Sequence, residues 1–259
     1  MHRARKRFGQ NFLIDDGIIH AIIRVINPKA GMHLIEIGPG LGALTRPLWA
    51  LTNKLDLLEI DRDLVAYWNR ENIDGIRVIQ GDALSFDFLE WAKIREKESI
   101  VCKVVGNLPY NISSPLLFHL VSAANYISEQ IFMLQAEVVE RLVAVAGSSD
   151  FSRLSVMLQA RYHMEKVLDV PPEAFDPQPK VNSAVVRMVP RKDFMLSNHE
   201  WNALEKLVAA AFSQRRKMLR TNLRDYLGKI PLSEAQLKSR AQDISVGCYL
   251  EWARVLVNP

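Results

Sequence analysis

Short runs rich in β-branched and aliphatic residues alternate with stretches of helical periodicity through the first two thirds of this 259-residue chain. The alternation is typical of a mostly parallel sheet covered by helices, because parallel neighbours need a crossover between them. The last two strands flank a proline-rich loop too short for a crossover helix, so we expect an antiparallel pair at the sheet edge. We expect seven strands, over residues 33–37, 55–60, 76–80, 100–106, 130–135, 154–162 and 183–189.

The strand pattern stops after Pro190, and a polar linker is expected near residues 191–198. Helical spacing follows, so we expect one domain over residues 1–195 and a small all-helical domain over residues 196–259. The sequence contains no uninterrupted run of about 18 apolar residues, which argues against a membrane span. The N-terminus lacks the apolar block of a secretory signal. We therefore expect a cytoplasmic protein without a membrane partner. We also expect a monomer.

The formal net charge of +4 is unevenly distributed. One basic cluster is HRARKR at residues 2–7, and a second is FSQRRKMLRTNLR at residues 212–224, on an otherwise slightly acidic chain. Such clusters favour a polyanionic partner held at defined places. A solvated helix face explains either cluster alone equally well. The candidate nucleic-acid contacts in the second cluster are Arg215, Arg216, Lys217 and Arg220.

A glycine-rich turn, EIGPGLGALT, follows the first expected strand and contains Gly38 and Gly40. Glycines there permit close approach of a ligand to the backbone. The turn also fits the dinucleotide form, with Glu59 available for a ribose hydroxyl. However, Glu36, Glu59 and Asp82 all lie at strand ends, and their charges would repel a pyrophosphate. This favours S-adenosylmethionine over NAD, although single acids at strand ends are also common as helix caps.

The fourth strand runs into Asn107, Leu108, Pro109 and Tyr110, at the edge where the carboxyl ends of the parallel strands meet. We call this the carboxyl edge. The side-chain oxygen of Asn107 and the carbonyl of Leu108 are suited to accept hydrogen bonds from both N–H groups of an exocyclic amine. These hydrogen bonds would localise the lone pair of the amine nitrogen. Pro109 stiffens the turn, and Tyr110 offers a face on which a flipped-out base stacks. A turn that caps the next helix is the simpler interpretation, and it leaves the four residues together unexplained.

Motifs in order from Phe8 to about Leu223 resemble the ribosomal RNA adenine dimethyltransferase family, and in particular its bacterial small-subunit branch. The resemblance implies a Rossmann-like class I methyltransferase fold. It also implies transfer of two methyl groups to N6 of each of two adjacent adenines near the 3′ end of 16S RNA, late in assembly of the small ribosomal subunit. The motifs are GQNFL, EIGPGLGALT, GDAL, GNLPYNISSPLLFHL, MLQAEVVERL, RLSVMLQ, VPPEAFDPQPKVNSAVV and FSQRRKMLRTNL.

The same resemblance implies roles for individual residues. Tyr110 would stack on the target adenine and Phe175 would close its other face, whereas a core anchor is the simpler interpretation of Phe175. The basic clusters would contact phosphates. No metal site is expected. The residues implied to bind S-adenosylmethionine are Gln10, Asn11, Leu13, Gly38, Gly40, Glu59, Asp82 and Asn107.

Three alternatives stay open at this stage. A methylase of large-subunit ribosomal RNA would share the fold and the chemistry. A non-catalytic RNA-binding assembly factor could be built on the same fold, although the cofactor motifs are intact. A dinucleotide-dependent oxidoreductase would explain the glycine turn alone.

Overall fold

The structure, a computed structural model, describes residues 10–98, 100–193 and 196–258. The basic cluster at residues 2–7 lies outside this part of the chain. The strands are β1 (Phe12–Leu13), β2 (His33–Ile37), β3 (Leu55–Glu59), β4 (Ile76–Gln80), β5 (Cys102–Asn107), β6 (Glu129–Gln135), β7 (Tyr162–Val170), β8 (Phe175–Asp176) and β9 (Ser183–Pro190). The α-helices are α1 (Asp16–Ile26), α2 (Thr45–Thr52), α3 (Arg62–Glu71), α4 (Phe88–Lys97), α5 (Ser113–Leu120), α6 (Ala136–Val143), α7 (Arg153–Gln159), α8 (Asn198–Ala211), α9 (Leu219–Asn222), α10 (Glu234–Lys238) and α11 (Val246–Val257).

Seven strands form one sheet in the order β4-β3-β2-β5-β6-β9-β7. The pairs from β4 to β6 are all parallel, and β9 runs antiparallel to β6. Strand order reverses between β2 and β5, where open α/β sheets bind ligands beyond the carboxyl ends of their strands. The central strands β2, β3 and β5 are mostly apolar and almost fully buried, as expected for parallel strands that are covered on both faces.

Six of the seven predicted strands are confirmed, with ends that differ by up to two residues. The predicted strand over residues 154–162 is wrong, because most of that segment forms α7, which begins at a capping box between Ser152 and Ser155. The seventh strand is β7, which begins where the predicted one ends. It was overlooked because it lies at the sheet edge, where charged side chains such as Glu165 and Lys166 are exposed and weaken the apolar signal.

Several helices of the sheet region begin or end at short polar side chains. The carboxylates of Asp15, Asp61 and Asp87 accept backbone N–H groups at the starts of α1, α3 and α4. Asparagines in the left-handed conformation end three helices, since asparagine adopts it at lower cost than most residues. These are Asn27 after α1, Asn53 after α2 and Asn72 after α3.

A charged cluster, which we call the amino edge cluster, surrounds Asp56 near the amino ends of β2, β3 and β4. Both carboxylate oxygens of Asp56 accept from Arg77, and Oδ2 also accepts from Arg95 Nη2 at 2.8 Å and Trp91 Nε1 at 2.7 Å. His33 Nε2 lies 3.1 Å from the same oxygen. Burial raises the pKa of Asp56, but the hydrogen bonds from His33, Arg77 and Trp91 outweigh it and lower the pKa to about 2.

The chain divides into two compact units. The first, residues 1–139 and 164–190, contains most of the sheet, and the second consists of residues 140–163 and 191–259. The boundary expected near residue 195 differs from this division in the segment 140–163. Among the helices described, none combines the length and the apolar character needed to cross a membrane.

Candidate active site

A pocket opens at the carboxyl edge of the first unit and encloses about 970 Å³, part of it open to solvent. The described residues that line it include two carboxylates and no lysine, arginine or histidine. The lining residues are Gln10, Asn11, Phe12, Ile37, Gly38, Gly40, Leu58, Glu59, Ile60, Gly81, Asp82, Ala83, Asn107, Leu108, Pro109, Tyr110, Asn111 and Ile112.

The glycine turn forms one wall of this pocket. Gly38 and Gly40 have φ values of 68° and 54°, a region that favours glycine over residues with a Cβ. A Cβ on Gly40 would also lie 3.1 Å from the ring of Phe12, which packs against the turn. The turn is also tied to β3, because the Gly38 N–H donates to the Leu58 carbonyl at 2.9 Å. The turn therefore has a fixed position relative to the end of β3.

Two buried carboxylates lie at this edge. Glu36 is fully buried, and burial raises its pKa to about 7, against a hydrogen bond from Thr45 Oγ1 at 2.6 Å and with a further increase from the charge of Glu59. Burial also raises the pKa of Glu59, and the backbone N–H groups that it accepts oppose the increase. Glu59 lines the pocket, whereas Glu36 is buried and is not among the lining residues.

Asn107 is the last residue of β5, and its side chain contacts residues 10–13, which we call the arm. Its Nδ2 donates to the Asn11 carbonyl at 3.0 Å. Because a carbonyl only accepts, this bond sets the amide orientation and leaves Oδ1 as the atom directed elsewhere. The preceding Gly106 is essential to the approach of β5 to β2, since a Cβ there would lie 2.6 Å from the Ile37 carbonyl oxygen. The Leu108 N–H donates to the Met133 carbonyl at 3.1 Å and fixes the turn against β6.

Tyr110 is half-buried and lines the pocket. Burial raises the pKa of its phenol, and a hydrogen bond with Ser183 opposes the increase. The ring is therefore neutral at physiological pH and retains its hydroxyl proton. Of the remaining cofactor candidates, Asp82 lines the pocket and caps the next turn through Leu84 N–H, and Gln10 Nε2 donates to Asp61 Oδ2 at 3.3 Å.

The structure does not bring Leu13 and Phe175 into the lining of the pocket. They pair across the two-stranded ribbon formed by β1 and β8, with Leu13 opposite Phe175 and Phe12 opposite Asp176. Leu13 is 6% exposed and Phe175 is 2% exposed, and both belong to the core. Side chains alternate along a strand, so Phe12 takes the pocket side and Leu13 the core side. The stacking of Phe175 on a base stays a prediction.

The four basic candidates belong to the second unit. Arg215, Arg216 and Lys217 lie in the turn between α8 and α9, and Arg220 lies in α9. All four are exposed, and Arg215 donates to the Ser149 carbonyl. Most of the cluster is thus presented by a turn and not by a helix face.

Three residues at the edge were overlooked in the sequence. Phe12 lines the pocket, Asp61 accepts from Gln10, and Ser183 bonds the Tyr110 hydroxyl. Alternation along β1 could have identified Phe12, since Phe12 and Leu13 must face opposite sides of the strand. Ser183 carries no local signal, because it lies 73 residues away from Tyr110 in sequence.

The fold and this site together define a Rossmann-like methyltransferase. Two curated relatives, both described as ribosomal RNA small subunit methyltransferase A, cover nearly the whole chain. The one from Bordetella petrii is 51% identical over 99% of this chain and 97% of its own. The one from Burkholderia ambifaria is 52% identical over 98% and 94%. The family model for ribosomal RNA adenine dimethylase matches residues 1–254, so the chain belongs to that family.

A solved structure supports the same assignment. The crystal structure of a dimethyladenosine transferase from Plasmodium falciparum superposes with a TM-score of 0.78 at 25% identity. The match covers 95% of this chain and 96% of that one, so it includes residues of both compact units.

Proposed function

We propose that this protein transfers methyl groups from S-adenosylmethionine to N6 of two adjacent adenines near the 3′ end of 16S RNA in the small ribosomal subunit, forming N6,N6-dimethyladenosine. Family membership supports adenine dimethylation. The relatives are described as small-subunit methyltransferases, which supports small-subunit RNA over large-subunit RNA as the substrate. The cytoplasmic location and the monomeric state stay predictions.

The lining of the pocket is the observation that carries the choice of cofactor. Its described residues hold the carboxylates of Glu59 and Asp82 and no cationic side chain. A pyrophosphate would be repelled there, whereas the ammonium and sulfonium charges of S-adenosylmethionine are favoured. The residues present therefore fit this cofactor and oppose the dinucleotide-dependent alternative.

We assign the cofactor contacts to residues of the pocket wall. Glu59, a buried charged acceptor, would bind the ribose hydroxyls, and Asp82 would accept from the adenine amine of the cofactor. Gly38 and Gly40 allow close backbone approach, and Gln10 and Asn11 would cover the ligand from the arm. Leu13 supports the arm from the core side through its pairing with Phe175.

S-adenosylmethionine, when bound, supplies an electrophilic methyl group on a positively charged sulfur. An exocyclic adenine amine is a poor nucleophile because its lone pair is delocalised into the ring. Asn107 Oδ1 and the Leu108 carbonyl would accept its two N–H bonds, which localises the lone pair and stabilises the developing positive charge. The Asn11 carbonyl holds the amide of Asn107 in the orientation that this requires.

The target adenine must leave its stack to reach this edge. Tyr110 would support one face of the flipped base. Phe175 would close the other face only if its ring left the core, where it is 2% exposed. We assign the phosphate contacts to Arg215, Arg216, Lys217 and Arg220, whose exposed cations have no carboxylate partner among the ion pairs recorded for the described chain.

The direct test is to incubate the protein with labelled S-adenosylmethionine and small subunits that lack the modification, and then to digest the RNA to nucleosides. Labelled N6,N6-dimethyladenosine is the expected product. Large-subunit RNA in a parallel reaction separates the two RNA specificities. Dimethyladenosine from large-subunit RNA alone, or subunit binding without any transfer, would refute the proposal and favour one of the two alternatives.

The basic turn is tested by reversing Arg216 and Lys217 to glutamate. Arg215 is left intact because its bond to the Ser149 carbonyl also supports the fold. We expect weaker binding to small subunits and a salt slope smaller by about 1 to 2, since each lost phosphate contact removes roughly 0.7 to 0.9 from the slope. Lys54→Glu, exposed before β3, is the control. An unchanged slope in the double variant would contradict the assignment.

A further inference from the structure

The phenol of Tyr110 makes one hydrogen bond that the chemistry above does not use. Its oxygen lies 2.7 Å from Ser183 Oγ. Ser183 is the first residue of β9 and is 1% exposed. A buried hydroxyl needs a partner, and this one finds it in a side chain that lines the pocket.

Ser183 belongs to a rigid part of the sheet. It pairs with Gln135 of β6. Strand β6 is hydrogen-bonded on its other side to β5. The turn after β5 is fixed to the same strand, because the Leu108 N–H donates to the Met133 carbonyl. Tyr110 therefore reaches from the end of β5 past the end of β6 to β9, and its two attachment points share one framework.

The backbone of Tyr110 is held as well. Ser113 Oγ, at the start of α5, donates to the Tyr110 carbonyl at 2.9 Å. One serine thus fixes the main chain of Tyr110 and another fixes the far end of its ring. An aromatic side chain restrained at both ends has lost its rotational freedom before any base arrives.

We propose that Ser183 is the positioning residue of Tyr110, which sets the tilt of the ring on which the target adenine stacks. The inference rests on the proposed function, in which Tyr110 supports the flipped base. A ring that is already oriented lowers the entropic cost of placing the amine against Asn107 and Leu108. Serine suits the position, because alanine would lose the bond and threonine would add a methyl group at a site that is 1% exposed.

The test is a double-mutant cycle with Ser183→Ala, Tyr110→Phe and the variant that carries both. The rate of methyl transfer is measured in single turnover on unmodified small subunits, at saturating S-adenosylmethionine. We expect each single change to lower the maximal rate about fivefold to tenfold, the equivalent of one net hydrogen bond. The double variant should be no slower than either single variant, because both changes remove the same bond.

The subunit concentration that gives half the maximal rate should stay the same in all variants, because the RNA contacts are elsewhere. Calorimetric titration with S-adenosylmethionine should give wild-type stoichiometry and affinity, which reports the folded fraction. Ser128→Ala is the matched control, since it removes a serine hydrogen bond at the amino end of β6, to the Cys102 carbonyl, and should not change the rate.

Each outcome decides the inference. Losses that multiply in the double variant, or a Ser183→Ala rate equal to wild type, would overturn it. If Ser183→Ala proved unstable at the assay temperature, Tyr110→Phe would carry the test, because it keeps the ring and the serine, and a wild-type rate would overturn the inference. Absence of transfer by the wild-type protein would instead refute the proposed function.

Discussion

Strand β3 carries one carboxylate near each end, and the pKa values of the two are shifted in opposite directions. Asp56 belongs to the amino edge cluster, where two guanidinium groups, an indole and an imidazole surround it, and its pKa falls to about 2. Glu59 lies at the carboxyl edge, where its carboxylate accepts a hydrogen bond from the Asp61 N–H and burial raises its pKa. Glu36 on the neighbouring strand resembles Glu59, because burial raises its pKa as well, to about 7.

The difference shows how one sheet separates stability from binding. At the amino edge the protein supplies every counter-charge itself, so the charged form is favoured without a ligand. At the carboxyl edge negative charge is buried with no cationic side chain among the described residues of the pocket, which costs stability and favours a cationic ligand. Substitutions at the two edges should therefore affect different measurements.

The largest effect is expected from Asp56→Ala, which should lower the free energy of unfolding by about 3–5 kcal/mol, because Arg95 is left buried without its carboxylate. In the wild type, a pKa lowered to about 2 means that Asp56 stabilises the fold fully above its unfolded value near 3.8. That contribution is lost as the pH falls towards 2. Urea unfolding at pH 7 and pH 3 measures both effects.

Asp169→Ala is the control for Asp56→Ala. Asp169 pairs with Lys166 on the surface, with 75% of its side chain exposed, and its loss should cost under about 1 kcal/mol. Equal losses from the two variants would contradict the stabilising role given to the amino edge cluster.

Asn107→Ala should lower the methyl-transfer rate by about 10²–10³-fold, equivalent to roughly 3–4 kcal/mol, because one preorganised acceptor for the reacting amine is removed. The free energy of unfolding should change by less than about 1 kcal/mol, since Asn107 is only half-buried. Single-turnover transfer and urea unfolding are the two measurements. Asn202→Ala, on an exposed position of α8, should leave both unchanged. Unaltered transfer in Asn107→Ala would refute the role given to this amide.

Glu36→Gln should change how stability depends on pH. A carboxyl whose pKa is raised from 4.5 to about 7 in the folded state binds a proton that the unfolded chain has released. Wild-type stability should therefore fall by about 3 kcal/mol as the pH rises from 4.5 to above 7, through this residue alone. The glutamine variant should lack that decline. Thermal unfolding at pH 5 and pH 8 tests it, and parallel curves for the two proteins would be the contrary result.

Glu59→Gln should have the smallest effect, a loss of about tenfold in affinity for S-adenosylmethionine, or about 1.4 kcal/mol, because a charged acceptor becomes neutral. Calorimetric titration measures this directly. Glu71→Gln, which affects a half-exposed ion pair with Arg46, is the control and should bind as the wild type does. Undiminished affinity in Glu59→Gln would remove this residue from the proposed cofactor site.

Much of the sheet could be predicted, because buried parallel strands such as β2, β3 and β5 are short apolar runs with turns at both ends. The segment that contains α7 and β7 could not, since an apolar run of seven to nine residues has no decisive period and an edge strand alternates with charge. The structure brings Glu59, Asp82, Asn107 and Tyr110 together because they lie at or just beyond the carboxyl ends of β3, β4 and β5, which run parallel in one sheet.

The orientation of residues that depend on pairing between distant segments could not be predicted from the sequence. The inward orientation of Phe175 follows from a ribbon of two residues per strand, which no local propensity encodes. The bond between Tyr110 and Ser183 likewise depends on the positions of β6 and β9. The motifs thus identified Glu59, Asp82, Asn107 and Tyr110, which line the pocket, together with Leu13 and Phe175, which do not.

The ribbon of β1 and β8 also determines when the site is complete during synthesis. Phe12 is made early, but its partner Asp176 lies about 160 residues later in the chain. At roughly 5–20 residues per second, the ribosome needs about 8–33 seconds to supply that partner. During this interval the arm has been translated but its ribbon cannot form. A nascent chain arrested before residue 175 should therefore have its sheet strands up to β6 and still lack the arm that orients Asn107.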